Sequence, residues 1–175
     1  MTQPLDPVHT RAPVFSPRSG AAGVEVTVET RDLPALTPVY LGMGATRSSF
    51  EVLSQLVTSE LGEMSTVVEV PDWATADRTH YFVLVDVYFR PLAVSDAFLV
   101  TERDGTLRRR GEIAGDAGGC LTLSEEGEGQ ELYVLTGEVQ ELTLGDQVLV
   151  EATLSESPGC GQGTALRVTR AQRLD

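Results

Sequence analysis

Cys120 and Cys160 are the only cysteines in this chain of 175 residues, and their type and placement point most directly to chemistry. Cys120 follows a Gly-Gly turn at the head of a predicted strand, and Cys160 lies in a Gly-rich turn before the last one. A small closed barrel brings two such strand ends together, which makes a disulfide geometrically plausible. A bridge closing a loop of about 40 residues contributes about 4 kcal/mol in the chain-entropy model.

Two other uses of the cysteines, a metal site and a redox centre, receive less support. A zinc site needs further ligands, and the two histidines, His9 and His80, lie in the other half of the chain. Redox centres usually place their cysteines closely, as in Cys-x-x-Cys. We therefore predict a structural disulfide, which indicates an oxidising compartment.

The sequence shows no arrangement that favours catalysis. His80 opens a strand, and Ser95 is a conceivable nucleophile across a hairpin, but nothing fixes a base and an oxyanion hole beside it. The G-x-S-x-G elbow is absent as well. We predict a protein that is not an enzyme, with no catalytic residues, no metal and no cofactor.

The charge of the chain argues against nucleic acid as a partner. The net charge is −13, since the chain has 26 Asp and Glu residues and 13 basic residues, all of them arginine. An acidic surface repels phosphate. Arg108, Arg109 and Arg110 form one basic cluster, which we interpret as a contact to an acidic protein surface. Trp73, the single tryptophan, is expected to cover the core, or to mark a contact surface if it is exposed.

The localisation predicted from the cysteines is extracytoplasmic: periplasm, cell surface or secreted. The first ten residues, MTQPLDPVHT, show no signal peptide, and no apolar run is long enough for membrane insertion. The absence of lysine and asparagine suggests a GC-rich, bacterial genome or that of a bacterial virus. The predicted disulfide therefore indicates an extracytoplasmic location, whereas the missing signal peptide argues against one.

Period-two alternation between turns every 8–12 residues predicts an all-β protein. The predicted strands cover residues 24–30, 37–43, 50–58, 64–70, 79–88, 92–101, 106–114, 119–124, 131–136, 147–154 and 164–171. Turns are predicted at Ser19-Gly20, Asp32-Leu33-Pro34, Leu61-Gly62, Pro71-Asp72 and Arg90-Pro91. A polar connection after Thr101 divides the chain into an extended arm (1–12), a first module (13–101) and a second module (102–175).

Residues 13–41 carry the pattern S-P-x-S-G-x-x-G-x-x-V-T-V followed by Leu-Pro. This pattern resembles the opening of bacterial IPT/TIG-type immunoglobulin-like domains. The stretch PDWATADRTHYFVLVD with RPLAVSDAFLVT is similar to the closing half of such domains. The resemblance covers about 90 residues and implies an Ig-like β-sandwich, a fold that serves many functions.

The second half resembles a small exported bacterial OB-like domain family of uncharacterised function. The residues that carry the resemblance are Gly119-Cys120, LYVLTG at 132–137, LGDQV at 144–148 and CGQGT at 160–164. It implies a small five-stranded OB-like β-barrel, with the paired cysteines as a structural bridge. Five short strands in about 70 residues fit this barrel independently.

The sequence thus predicts a structural or binding protein of the bacterial envelope or exterior, with protein partners. A first alternative is a subunit of a homopolymeric assembly, such as a surface filament or a virion shell, joined through the N-terminal arm as an added strand. A second alternative is an accessory module that binds carbohydrate or another ligand.

Overall fold

The protein is all-β in a computed structural model, which describes residues 12–45, 49–116, 119–126, 131–155 and 164–174. The described residues form thirteen strands. Their bounds are β1 Val14–Ser16, β2 Ser19–Gly20, β3 Glu25–Thr30, β4 Pro38–Ala45, β5 Glu51–Val57, β6 Met64–Glu69, β7 His80–Asp86, β8 Pro91–Val100, β9 Leu107–Asp116, β10 Leu121–Glu125, β11 Leu132–Gly137, β12 Gln147–Leu154 and β13 Thr164–Arg173.

The alternation of apolar and polar residues explains why these segments are strands. In β3 every second residue is buried, and these are Val26, Val28 and Thr30. Since side chains of a strand point alternately to its two faces, this pattern covers one side of a sheet and exposes the other. β12 follows the same rule, with Val148, Val150 and Ala152 fully buried.

The chain divides into two compact units. Unit 1 comprises residues 1–18, 23–74 and 80–98, and unit 2 comprises residues 19–22, 75–79 and 99–175. The predicted module boundary was Thr101, and the two short segments of unit 2 at 19–22 and 75–79 were not predicted from the sequence.

The strands of the first half form two sheets. One has the order β1-β3-β6, and the other has the order β2-β8-β7-β4-β5. Phe15 of β1 packs against Phe82 of β7 and Phe98 of β8, with ring centroids 5.4 and 5.6 Å away. These contacts within unit 1 join the two sheets through an aromatic core.

The strands β9 to β13 form a closed barrel in unit 2. Its order is β10-β11-β13-β12-β9, with β9 also paired to β10. β11 and β13 run parallel, and the other barrel pairs are antiparallel. The largest side chains of the barrel core are Leu107, Ile113, Leu123, Tyr133, Leu135 and Leu166.

The predicted strands are confirmed with shifts of one or two residues at their ends. The predicted turn at Ser19-Gly20 is wrong, because these residues form β2 and pair in parallel with Leu99 and Val100. β1 was not predicted either. Both strands are only two or three residues long and flank Pro17, so no alternation could reveal them. The predicted arm lies outside the described residues except for Ala12.

Candidate functional site

The turn that connects β7 to β8 exposes several large apolar side chains. Val87, Tyr88 and Phe89 are 42%, 75% and 58% exposed. We call Tyr88 and Phe89, together with Tyr40 and Phe50, the aromatic tip. Exposed aromatic side chains in a group are uncommon on a monomer surface unless they contact another molecule.

Asp86 holds this turn in one conformation. Its Oδ1 accepts hydrogen bonds from the backbone N–H groups of Tyr88 at 2.8 Å and Arg90 at 2.9 Å. Its Oδ2 accepts a further bond from Nε of Arg90 at 2.7 Å. Burial alone raises the pKa of Asp86, but these bonds outweigh it and hold the pKa below the ordinary 3.8. The carboxylate is therefore ionised and bonded at neutral pH.

Phe89 adopts a backbone conformation that bulky residues rarely use. Its φ is +60°, in the left-handed region. In this conformation the Phe89 ring stacks on Tyr40 of β4, with centroids 5.5 Å apart and planes 10° apart. The ring of Phe50 lies 6.3 Å from that of Phe89. Strain of this kind persists where surrounding contacts impose it, and it concentrates at functional positions.

Arg90 adds a cation to the aromatic tip. Its guanidinium carbon lies 5.2 Å from the centroid of the Tyr88 ring. The ion pair between Arg90 and Asp86 leaves 72% of the Arg90 side chain exposed. Exposed tyrosine and arginine on a braced turn have the composition of a binding hot spot.

The aromatic tip was not predicted from the sequence, which marked only the turn at Arg90-Pro91. One signal was present. Val87, Tyr88 and Phe89 are three consecutive large apolar residues beside a proline, where strand alternation ends. A turn cannot bury three neighbouring side chains on one face, so some of them had to face solvent.

The three consecutive arginines do not share a surface, because they alternate along β9. Arg108 pairs with Asp77 at 2.6 Å and Glu102 at 2.8 Å, and Arg110 pairs with Glu126 at 3.1 Å. The hydrogen bonds that Arg108 donates to Glu102 and, to a smaller extent, to Asp77 raise the pKa of Arg108 above its ordinary value.

Arg109 points into unit 2, and its side chain is fully buried. Its NH1 donates to the carbonyl oxygens of Ala76 at 2.8 Å and Arg108 at 2.7 Å. Its Nε lies 3.2 Å from both Thr79 Oγ1 and Tyr133 Oη, and 3.8 Å from a carboxylate oxygen of Glu125. A buried guanidinium with this many partners binds protein groups of its own chain.

The other residues singled out in the sequence have separate places. Trp73 is 40% exposed, and its ring lies 6.0 Å from that of buried His80. Ser95 accepts a hydrogen bond from the backbone of Phe82 and donates one to the carbonyl of Asp96. Cys120 immediately precedes β10, and Cys160 lies outside the described residues, so the disulfide stays a prediction.

Within the described ranges, no three His, Cys, Asp or Glu side chains lie close enough to hold a metal ion. The same ranges contain no helix with the length and hydropathy to cross a membrane.

Comparisons with known proteins give no family for this chain. No family model matches it, and no curated protein matches it. Among solved structures, macromomycin is similar with a TM-score of 0.43 and 14% identity, over 52% of this chain and 99% of macromomycin. A similarity this low does not indicate a shared function.

Proposed function

We propose that this protein is a non-catalytic binding component of the bacterial envelope or exterior, and that the aromatic tip is its contact surface. The observation that carries the proposal is the exposure of Tyr88 and Phe89 on a turn held by Asp86. Aromatic anchors on a rigid turn lose little conformational entropy when they bind, so more of the contact energy appears as affinity.

An Ig-like first module is part of this proposal. The sheets β1-β3-β6 and β8-β7-β4-β5 correspond in order to the A-B-E and G-F-C-C′ strands of immunoglobulin sandwiches. β2 pairs with β8, whereas β1 belongs to the other sheet. Together they correspond to a first immunoglobulin strand that is divided between the two sheets. This order supports the resemblance of residues 13–41 to IPT/TIG-type domains.

An OB-like second module is the other part. A five-stranded Greek-key barrel of this kind places its third and fifth strands side by side. In this chain the third and fifth barrel strands, β11 and β13, are parallel neighbours. The predicted bridge between Cys120 and Cys160 would add covalent stability in an oxidising compartment.

The chemistry of the aromatic tip favours a protein partner. The only charged side chains in its turn, Asp86 and Arg90, neutralise each other, so the turn carries no net charge on a chain of net charge −13. Neutral aromatic surface with one exposed guanidinium fits an apolar protein pocket that offers an acceptor to Arg90. Binding to a phosphate-rich partner or to an anionic membrane surface would require more positive charge on the tip.

Co-sedimentation with isolated envelopes of the source bacterium tests the proposal. We expect the purified protein to sediment with the envelopes, and Tyr88→Ala to weaken binding by about tenfold, or ~1.4 kcal/mol. Leu144→Ala is the matched control, since Leu144 is 65% exposed in unit 2, away from the tip in sequence. Equal binding of the two variants and the wild type would contradict the role of the tip.

Treatment of the envelopes identifies the class of partner. Protease treatment should abolish binding if the partner is a protein, whereas digestion with a glycan hydrolase should leave it intact. The reverse result would replace the protein partner with a carbohydrate. No sedimentation with any envelope fraction would overturn the proposed function.

A further inference from the structure

β5 is an edge strand that lacks the features which usually prevent pairing. It lies at the end of the five-stranded sheet, and among the described strands it pairs only with β4. None of its seven residues is buried. Its sequence, EVLSQLV, contains no proline, and its single charge is Glu51 at the start. Such an edge offers unpaired N–H and C=O groups to another strand.

The other edge strands of the two sheets differ from β5 in length or in burial. β1 has three residues and β2 has two, and short edges give little template for pairing. β6 has six residues with one terminal glutamate, as β5 has, but Met64 and Val68 of β6 are buried. Among the described edges, β5 is therefore the longest, and of the two longer edge strands it is the one without a buried residue.

Exposed apolar side chains accompany this edge. Val52 and Val57 of β5 are 38% and 62% exposed. The turns at its C-terminal end add Leu36, which is 64% exposed at φ +50°, and Leu61, which is 79% exposed. Burial of these side chains under a second strand and its neighbours is favourable, because it removes apolar surface from water.

We infer that β5 pairs with β5 of a second copy of this chain, antiparallel across a twofold axis. Two copies that each carry a net charge of −13 repel one another over most of their surface. An uncharged edge with exposed valines is a place where this repulsion is small and apolar burial is available. A twofold axis makes such an interface closed and self-complementary.

The position of the one charge disfavours a register centred on Glu51 and is compatible with one centred on Ser54. When the axis passes through Ser54, Glu51 of each copy lies opposite Val57 of the other, and the two carboxylates are separated by the length of the strand. A register centred on Glu51 would place like charges directly opposite, which is unfavourable. The C-terminal end of one β5, with Val57 and the nearby Leu36 and Leu61, then meets the N-terminal end of the other.

The mass of the full chain in solution tests this dimer. We expect light scattering after size exclusion to give twice the chain mass of 18.8 kDa. Val57→Glu should return it to a single chain mass, since the new carboxylate lies directly opposite Glu51 of the other copy. Val67→Glu is the matched control, because Val67 is 56% exposed on β6 and should leave the dimer intact. Circular dichroism verifies that each variant is folded.

Cross-linking tests the register independently. Ser54→Cys should form an intermolecular disulfide under mild oxidation, because residues that face each other across the axis bring their Cβ atoms close. Glu51→Cys should not, since its opposite residue is Val57. A single chain mass for the wild type at all concentrations, or a dimer that survives Val57→Glu, would overturn the inference. Tyr88→Ala should still dimerise, so a failure of the aromatic tip is distinguishable from a failure of this interface.

Discussion

The guanidinium of Arg109 and the phenol of Tyr133 meet inside unit 2, with Nε 3.2 Å from the Tyr133 hydroxyl oxygen and Cζ 5.7 Å from the ring centroid. Both side chains are fully or almost fully buried. The same hydroxyl forms a short hydrogen bond with Thr79 Oγ1, which also accepts from Arg109 Nε and donates to a carboxylate oxygen of Glu125 at 2.6 Å. A connected polar group of this kind stabilises only when its members are satisfied together.

Removal of the Tyr133 hydroxyl should weaken unit 2. In Tyr133→Phe the ring remains, but the buried Arg109 Nε and the buried Thr79 hydroxyl each lose a hydrogen-bond partner. We expect the free energy of unfolding to fall by about 1–2 kcal/mol, measured by urea denaturation. Tyr88→Phe is the matched control, because the Tyr88 side chain is 75% exposed. A variant as stable as the wild type would show that water replaces the hydroxyl.

The same hydroxyl should make stability depend on alkaline pH. Burial raises the pKa of Tyr133 above 10.0 and outweighs the opposing charge of Arg109. The unfolded chain then loses this proton first as the pH rises, so the Tyr133 contribution is complete below 10.0 and declines above it. Denaturation at increasing pH should show a steeper loss in the wild type than in Tyr133→Phe. Identical slopes would contradict this ionisation linkage.

Replacement of Arg109 should cost more than replacement of either neighbouring arginine. Arg109→Met keeps a long side chain but removes the guanidinium donor from the Arg108 and Ala76 carbonyls, of which Ala76 keeps only the backbone N–H of Arg108. We expect a loss of about 3 kcal/mol, measured by thermal and urea unfolding. Arg110→Met should be close to the wild type, since the Arg110 side chain is 62% exposed. An equal loss of unfolding free energy in the two variants would show that the buried contacts of Arg109 do not stabilise the protein.

Two glycines of β9 should respond differently to alanine. A Cβ at Gly111 would lie 2.0 Å from the backbone oxygen of Ser124, whereas a Cβ at Gly115 would meet nothing within 4 Å. Because the Ser124 oxygen belongs to the paired strand β10, the barrel would have to open to relieve the clash. Gly111→Ala should destabilise by about 1–3 kcal/mol or more, and Gly115→Ala should be neutral or slightly stabilising. Thermal unfolding of both variants measures the difference.

The predicted disulfide can be tested by mass spectrometry without reduction. We expect a peptide that links Cys120 to Cys160, and a loss of about 4 kcal/mol in the Cys120→Ala and Cys160→Ala double variant. If the proposed localisation holds, fractionation of the source cells should place the protein outside the cytoplasm. Free thiols on both cysteines in the native protein would remove the argument for an oxidising compartment.

The sequence determines the secondary structure because β-strand alternation is a local property. Residues such as Val26 and Val28 alternate with glutamate and threonine, and this pattern identifies a strand without knowledge of its partner. The turn residues Asp32 and Gly62, both at positive φ, mark strand ends for the same local reason. The all-β class and most strand positions followed from such patterns.

Only the tertiary structure decides which strands pair and which side chains become buried. The parallel pair β11–β13 joins residues about 30 positions apart, and no local pattern encodes it. Arg109 has two arginine neighbours in sequence, yet the pleat of β9 turns it alone toward Thr79 and Tyr133. The exposure of Phe89 likewise depends on Tyr40, 49 positions earlier in the chain. These features arise from contacts between segments that are distant in sequence. The free energy of those contacts is larger than that of the local conformational preferences, which are all that a sequence pattern reveals.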